Sequence, residues 1–358
     1  MQHVLICRTD NLGDVVLTLP LAGYLRQRFP DLRIGFLCRR YAAELVATCT
    51  ALDYVVERET IETSPPGAPV ASKDAVANAA AWMKKAGVDT IIFAKPDRRL
   101  AAAAKKAGIA RRVGTSHRLF NWWYCNRLAH FSRVKSGLHE AQLNFELLKP
   151  LGIEHIPALS EVAGLYGLQV APLAISQSKK PVGLNQNDFN LLLHPKSNGN
   201  GREWPPARYL GLAKYLSTDP RIRLWVTGSA PEGEWLASHV PELFTCANVQ
   251  NLCGKLTLAE LQEFIRSADG LVASGTGPVH IAAAVGQRTL GLYPPLKPIH
   301  PARWAPLGAQ AQAITGAAEC QGCNYPRQCA CMDAISVSSV AKTVERWQAE
   351  KLAADGDR

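Results

Sequence analysis

Nowhere in the 358-residue chain does an apolar run approach the ~18–20 positions needed to cross a bilayer. The opening residues lack the basic region, apolar core and small-residue cleavage site of a secretory signal. They pass at once into the strand-like run His3-Val4-Leu5-Ile6-Cys7. The ten cysteines are therefore expected to be free thiols rather than a disulfide framework, in a cytoplasmic protein. The first strand-to-helix turn lacks the three spaced glycines of a dinucleotide fingerprint. No Gly-Lys-Ser/Thr follows a glycine-rich loop either, so a P-loop is absent. His139-Glu140 has no second histidine at the fifth position, which excludes a zincin. With 47% hydrophobic and 20% charged residues, the chain is neither disordered nor collagen-like.

Acid is missing from one long stretch. Between Arg98 and Leu138 stand ten basic residues and no Asp or Glu, so this segment alone equals the +10 excess of the whole chain. A field so localised suggests an anionic partner: nucleic acid, anionic lipid, or a phosphorylated or carboxylated substrate. Within it, Leu119-Phe120-Asn121-Trp122-Trp123-Tyr124 sits between Arg118 and Arg127. Aromatic rings among cations suit a membrane interface or base stacking, and equally core packing.

What the chain does have is alternation. Strand-like runs at 4–7, 33–38, 54–56 and 90–94 are separated by helix-length segments, including 15–29 and about 42–48. After a Pro, Ser, Lys and Asn-rich stretch at 171–187, runs recur at 191–194, 223–227, 270–273 and 289–293. This pattern predicts right-handed βαβ units and parallel sheets, and the length suits two domains. The expected division is 1–175 and 176–358, with a final helix at about 336–352 able to pack back on the N-terminal domain.

Three turns carry chemistry. The first, Arg8-Thr9-Asp10-Asn11-Leu12-Gly13-Asp14, sets two carboxylates at a strand's carboxyl end. Asp10 or Asp14 is either a helix cap or a general base, and a helix N-terminus would lower the pKa of Asp14. The second runs from His194 through Lys196, Ser197, Gly199, Gly201 and Arg202 to Trp204-Pro205, and reads as a phosphate cradle or a flexible surface loop. The third, Ser274-Gly275-Thr276-Gly277-Pro278-Val279-His280, again joins strand to helix. Two such loops favour a nucleotide-diphosphate ligand over a lone phosphate. Cys320, Cys323, Cys329 and Cys331 form CxxC and CxC pairs, read as structural with metal left open.

Taken in order, these segments resemble glycosyltransferase family 9, the lipopolysaccharide heptosyltransferases. The likeness rests on Gly13-Asp14, on the His194-Pro195 loop ending in Trp204-Pro205, and on Thr276-Gly277-Pro278-Val279-His280-Ile281. It continues through Pro301-Ala302-Arg303-Trp304 to Cys331-Met332-Asp333-Ala334-Ile335. The resemblance implies a GT-B architecture, with two Rossmann-like domains whose parallel sheets face a central cleft. It implies an inverting, metal-independent transfer, commonly from ADP-heptose, needing no cofactor. By that likeness Asp14 is the base and Arg202 the cation that neutralises the departing diphosphate. Gly13, Lys196, Ser197, Glu232, Ser274, Thr276, Gly277 and His280 would bind the donor, with Glu232 on the ribose. Asp10, Arg111, Arg112 and Arg118 would meet an anionic glycolipid acceptor, in peripheral contact with the inner membrane and without nucleic acid. One departure stands out: Gly275 replaces an Asp common in relatives and associated with the donor sugar.

Overall fold

The computed structural model describes residues 1–63, 72–133, 135–169, 184–197, 199, 201–317, 319–320 and 329–356. It forms two compact units, Met1–Gln169 and Val170–Arg358, dividing six residues before the expected boundary. Most of the expected linker, residues 171–183, lies outside the described residues, as does Cys323.

The first unit holds a six-stranded sheet of β1 (His3–Cys7), β2 (Arg33–Cys38), β3 (Tyr54–Glu57), β4 (Thr90–Phe93), β5 (Arg111–Thr115) and β6 (Arg127–Ala129). The second holds β7 (Phe189–His194), β8 (Ile222–Val226), β9 (Val249–Asn251), β10 (Gly270–Ser274), β11 (Thr289–Tyr293) and β12 (Ala311–Thr315). Their orders, β3-β2-β1-β4-β5-β6 and β12-β11-β10-β7-β8-β9, are the same pattern, and every described pairing is parallel. Helices cover both faces of such sheets, so the central strands read as unbroken apolar runs: Val4-Leu5-Ile6 and Leu271-Val272-Ala273 are fully buried. Strand order reverses between β1 and β4 and again between β7 and β10. Crevices for ligands open at these switch points, beyond the carboxyl ends of the strands. All three polar turns of the sequence follow one of these four strands.

The helix expected at 15–29 is two helices, Leu12–Val16 and Leu19–Arg28. Pro20 explains the break: it lacks an N–H and is accommodated in the first turn of the second helix. Asn144 caps the junction from outside, its Nδ2 donating to Leu17 O at 3.0 Å and Thr18 Oγ1 at 3.2 Å. The short first helix fixes the positions of Asp10 and Asp14.

The final helix, Val337–Gly356, buries Val340, Ala341, Val344 and Trp347 in the core of the second unit. The apolar stripe of this helix is thus used within its own unit. Trp347 lies so close over Gly270 that a Cβ there would meet its ring at 3.0 Å. Trp347→Ala should cost ~3–5 kcal/mol, as cavity-forming losses of large core rings do. A urea titration that follows the second unit would show it; an unchanged midpoint would mean that the helix is only appended.

Candidate active site

At the carboxyl end of β1 the chain leaves the sheet as Arg8-Thr9-Asp10. Arg8 is 4% exposed and spends its guanidinium entirely on neighbours. Nε donates to Asp10 Oδ1 at 2.7 Å, one terminal nitrogen to Asp14 Oδ1, and the other to Ala94 O at 3.3 Å and Asn144 Oδ1 at 3.4 Å. Glu140, 1% exposed, lies 3.6 Å from the same guanidinium and is also paired with Arg133. Arg133 in turn donates to Ala94 O at 3.0 Å and Asn144 Oδ1 at 3.3 Å. Lys95, at the end of β4, approaches Asp10 at 3.8 Å. Three carboxylates and three cations are thereby gathered at the β1/β4 switch point.

Neither aspartate is a helix cap. The N-cap position of Leu12–Val16 is Asn11, which makes no side-chain cap bond. The expected lowering of the Asp14 pKa is also overturned. Burial pushes it up to about 6, against the pull of Arg8, with Asp10 and Glu140 adding like-charge repulsion. A helix of five residues cannot offset that desolvation. Burial opposes the charge on Arg8 as well, yet Asp14, Asp10 and Glu140 together push its pKa up, so it stays a cation.

In the second unit, the turn after β7 is bound to the turn after β10. Ser274, fully buried, accepts a hydrogen bond from Trp204 N at 2.9 Å. The backbones touch too, since a Cβ on Gly201 would meet Gly275 O at 3.0 Å. Trp204 anchors its loop by burial and by donating Nε1 to Ile335 O at 3.0 Å. His194 is buried and held down at about 4, hence neutral, with Nδ1 at 2.9 Å from Thr227 Oγ1.

Glu203, to which the sequence reading gave no role, organises the cradle. It accepts from Lys196 Nζ at 2.5 Å, from Ser197 N at 2.8 Å and from Ser197 Oγ at 3.0 Å. Lys196 also lies 3.8 Å over the Trp235 ring. The groups expected to hold an anion therefore already hold a carboxylate. Arg202 is half-buried in the same loop.

Thr276 is the N-cap of the helix Gly277–Ala284, which carries His280 buried along its length. The Thr276 hydroxyl is buried and makes no hydrogen bond with the described residues. An unspent hydroxyl beside the free N–H groups of a helix start is suited to an anionic oxygen. Glu232 sits at the start of Ala230–His239, beyond β8, where Oε2 accepts from Ser229 N and Oγ, each at 2.8 Å, as a capping box. Gly13 adjoins Asp14 in the first unit, apart in sequence from the other expected donor residues.

Two expected acceptor residues are displaced. Arg111 and Arg112 open β5, level with Thr90 and Ile91, at the amino edge of the sheet and opposite the end that carries Asp14. Arg111 faces Asp89 at 3.5 Å, and Arg112 donates to the carbonyls of Tyr124 at 2.7 Å and Ile109. Both build the fold at that edge. Arg118, by contrast, lies beyond the carboxyl end of β5, exposed. The cluster's own cations, Arg8, Lys95 and Arg133, had no assigned role in the sequence. Among the described residues no group of His, Cys, Asp and Glu is arranged to hold a metal ion.

Twin doubly wound units with polar turns at both switch points define a Rossmann-like class of α/β protein. The sequence pattern of glycosyltransferase family 9 (heptosyltransferase) matches residues 101–331. Lipopolysaccharide heptosyltransferase 1 of Salmonella typhimurium is 22% identical over 312 residues, 83% of this chain and 90% of its own. A family 9 glycosyltransferase from Veillonella parvula superposes with a TM-score of 0.70 at 18% identity, covering 98% of this chain and 97% of its own. The E. coli ADP-heptose LPS heptosyltransferase II gives 0.68 at 17%, covering 98% and 99%. The chain belongs to glycosyltransferase family 9. It is a glycosyltransferase with the GT-B fold of the heptosyltransferases.

The raised pKa of Asp14 has a stability consequence of definite sign. The folded state binds this proton more tightly than the unfolded one, so stability falls as pH rises from ~4 to ~6 and the penalty persists above. Asp14→Asn should therefore stabilise the protein at pH 8 by roughly 1–3 kcal/mol, with the difference vanishing towards pH 4. Paired melts at the two pH values test this. A destabilised variant at pH 8, of the ~1 kcal/mol expected for a lost cap, would restore the capping role.

Proposed function

We propose that this glycosyltransferase moves heptose from ADP-heptose to an inner-core sugar of a lipopolysaccharide acceptor, by one inverting displacement. The observation that carries the reading is Asp14: a largely buried carboxylate, fixed by Arg8 at a switch point and more basic than an ordinary aspartate. The first unit would receive the acceptor and the second the donor. Asp14 takes the proton of the acceptor hydroxyl as its oxygen attacks the anomeric carbon. The bond to the β-phosphate oxygen breaks on the opposite face, which inverts that carbon, and the electron pair leaves with ADP. Arg202 neutralises the developing charge, while the Thr276 hydroxyl and the N–H groups that follow it bind phosphate oxygens. Glu232 would hold the ribose. Such a site needs no metal and no cofactor, because fixed cations and dipoles do the electrostatic work.

Names of similar proteins support the substrates. E. coli heptosyltransferase WaaC has been solved with ADP and with ADP-2-deoxy-2-fluoro heptose, and the Salmonella relative is a lipopolysaccharide heptosyltransferase. An anionic, membrane-anchored acceptor suits the acid-free segment 98–138, and the reaction would then run at the cytoplasmic face of the inner membrane.

A second reading, the same chemistry with another donor sugar, is favoured by one observation. A Cβ on Gly275 would meet the Tyr293 ring at 2.6 Å, so an aromatic edge lies where a side chain at 275 would stand. Mass spectrometry of the purified protein with several sugar nucleotides and truncated core acceptors separates the two. Transfer from ADP-heptose supports the first; exclusive use of another sugar nucleotide supports the second.

Asp14→Asn should leave donor affinity intact and lower turnover ~10²-fold or more. In the wild type, kcat/KM should rise with pH and level off above about 6, as the base ionises. A flat profile across that range would remove Asp14 from the role. Arg202→Ala should cost ~2–4 kcal/mol of transition-state stabilisation and depress turnover more than acceptor binding. Unaltered kinetics would show that the leaving group is neutralised elsewhere.

A further inference from the structure

The helix Leu119–Tyr124, between β5 and β6 in the chain, packs against β5 and turns one apolar face to solvent. Leu119, Trp122 and Trp123 are spaced i, i+3, i+4 and therefore share that face. Their exposures are 85%, 58% and 76%. This is not a loosely held segment. Asn121, fully buried on the opposite side, donates Nδ2 to Thr115 O at 2.8 Å. Trp122 Nε1 donates to Ser116 O at 2.9 Å, and Lys105 Nζ to Trp123 O at 2.8 Å. The chain spends hydrogen bonds to hold three large apolar side chains in water.

Exposed cations surround the helix in sequence: Arg98, Arg99, Lys105, Lys106, Arg118 and Arg127. No acid lies among them. The geometry points to this face as a bilayer anchor that seats Leu119, Trp122 and Trp123 in the interface of an anionic membrane while the flanking cations meet its headgroups. Tryptophan favours the headgroup boundary, and leucine the acyl chains below it. Base stacking fits less well, because the most exposed of the three is a leucine, which offers no ring. The structure also replaces the expected anionic contact of Arg111 and Arg112, which are committed to the amino edge of the sheet.

The anchor is continuous with the candidate active site. The Trp122 ring meets His130 edge-on, with centroids 6.2 Å apart, at the start of the loop after β6. Arg133, from that loop, reaches Glu140, which adjoins Arg8 and thus Asp14. A membrane-seated helix would set the base beside the surface from which a lipid-linked sugar projects. That last consequence rests on the acceptor reading above; the surface contact itself does not.

The test is flotation of the full chain with vesicles of phosphatidylglycerol and phosphatidylcholine. Leu119→Ser with Trp123→Ser should lower partition roughly tenfold or more without altering the melt, since both side chains are exposed. Brominated acyl chains should quench wild-type tryptophan fluorescence, and salt should weaken binding without abolishing it. Undiminished partition of the double variant, or no quenching by brominated chains, overturns the anchor. So does a wild type that ignores vesicles and binds a single-stranded oligonucleotide through these rings. Partition is read without any sugar donor. Absent transfer to a soluble, delipidated core acceptor would therefore count against the proposed reaction, while the vesicle result still decides the anchor.

Discussion

A guanidinium with almost no access to water governs the first unit. Arg8 cannot be buried alone, because an uncompensated charge at that depth would cost several kcal/mol. Asp10, Asp14 and Glu140 supply the compensation, and each is fixed by supplying it. Burial raises the Asp14 pKa more than Arg8 lowers it, and the neighbouring Asp10 and Glu140 add to the rise, so Asp14 holds its proton harder than a solvated aspartate would. Basicity at the site thus comes chiefly from burial, with the carboxylates that keep the arginine charged adding to it. Asn144 extends the network to the break between the two helices after β1, which couples backbone geometry to the same cluster.

The second unit solves a different problem. An anion site needs backbone and hydroxyl donors held still before the ligand arrives. Trp204 and Ser274 do this by lashing one loop to the next, and Glu203 keeps Lys196 and Ser197 gathered. A carboxylate in that position fixes a cation and two donors that would otherwise be free to wander. A diphosphate donor bound there, as proposed, would have to displace Glu203 from Lys196 and Ser197 or use other N–H and hydroxyl donors.

Much of this was legible in the sequence, for reasons that can be stated. The central strands are buried on both faces and write themselves as apolar runs, which is why β2 and β11 match residue for residue. Two other strands do not: β5 opens Arg-Arg and the edge strand β6 opens with Arg, so their charge hid them. Asp14 was recognisable from its turn, but not the sign of its pKa shift. Helix position is written in sequence; depth of burial is not. The same gap concealed Arg8 and Glu140, which stand 132 residues apart in the chain. Counting charge along a segment likewise could not tell which end of the sheet Arg111 and Arg112 occupy.

Tyr293 is wedged over two glycines. A Cβ at Gly275 would meet its ring at 2.6 Å and one at Gly291 at 2.5 Å, while its hydroxyl donates to Trp304 O at 2.6 Å. The three positions therefore form a single unit of inheritance. Any lineage that gains a side chain at 275 must first shrink or rotate the tyrosine, and one that regains the tyrosine must first empty both glycine sites. The order of substitutions is constrained, and a one-step exchange between this arrangement and an acid-bearing turn would pass through a clash. Variation at this turn is expected to come in correlated sets, with residue 293 changing before residue 275.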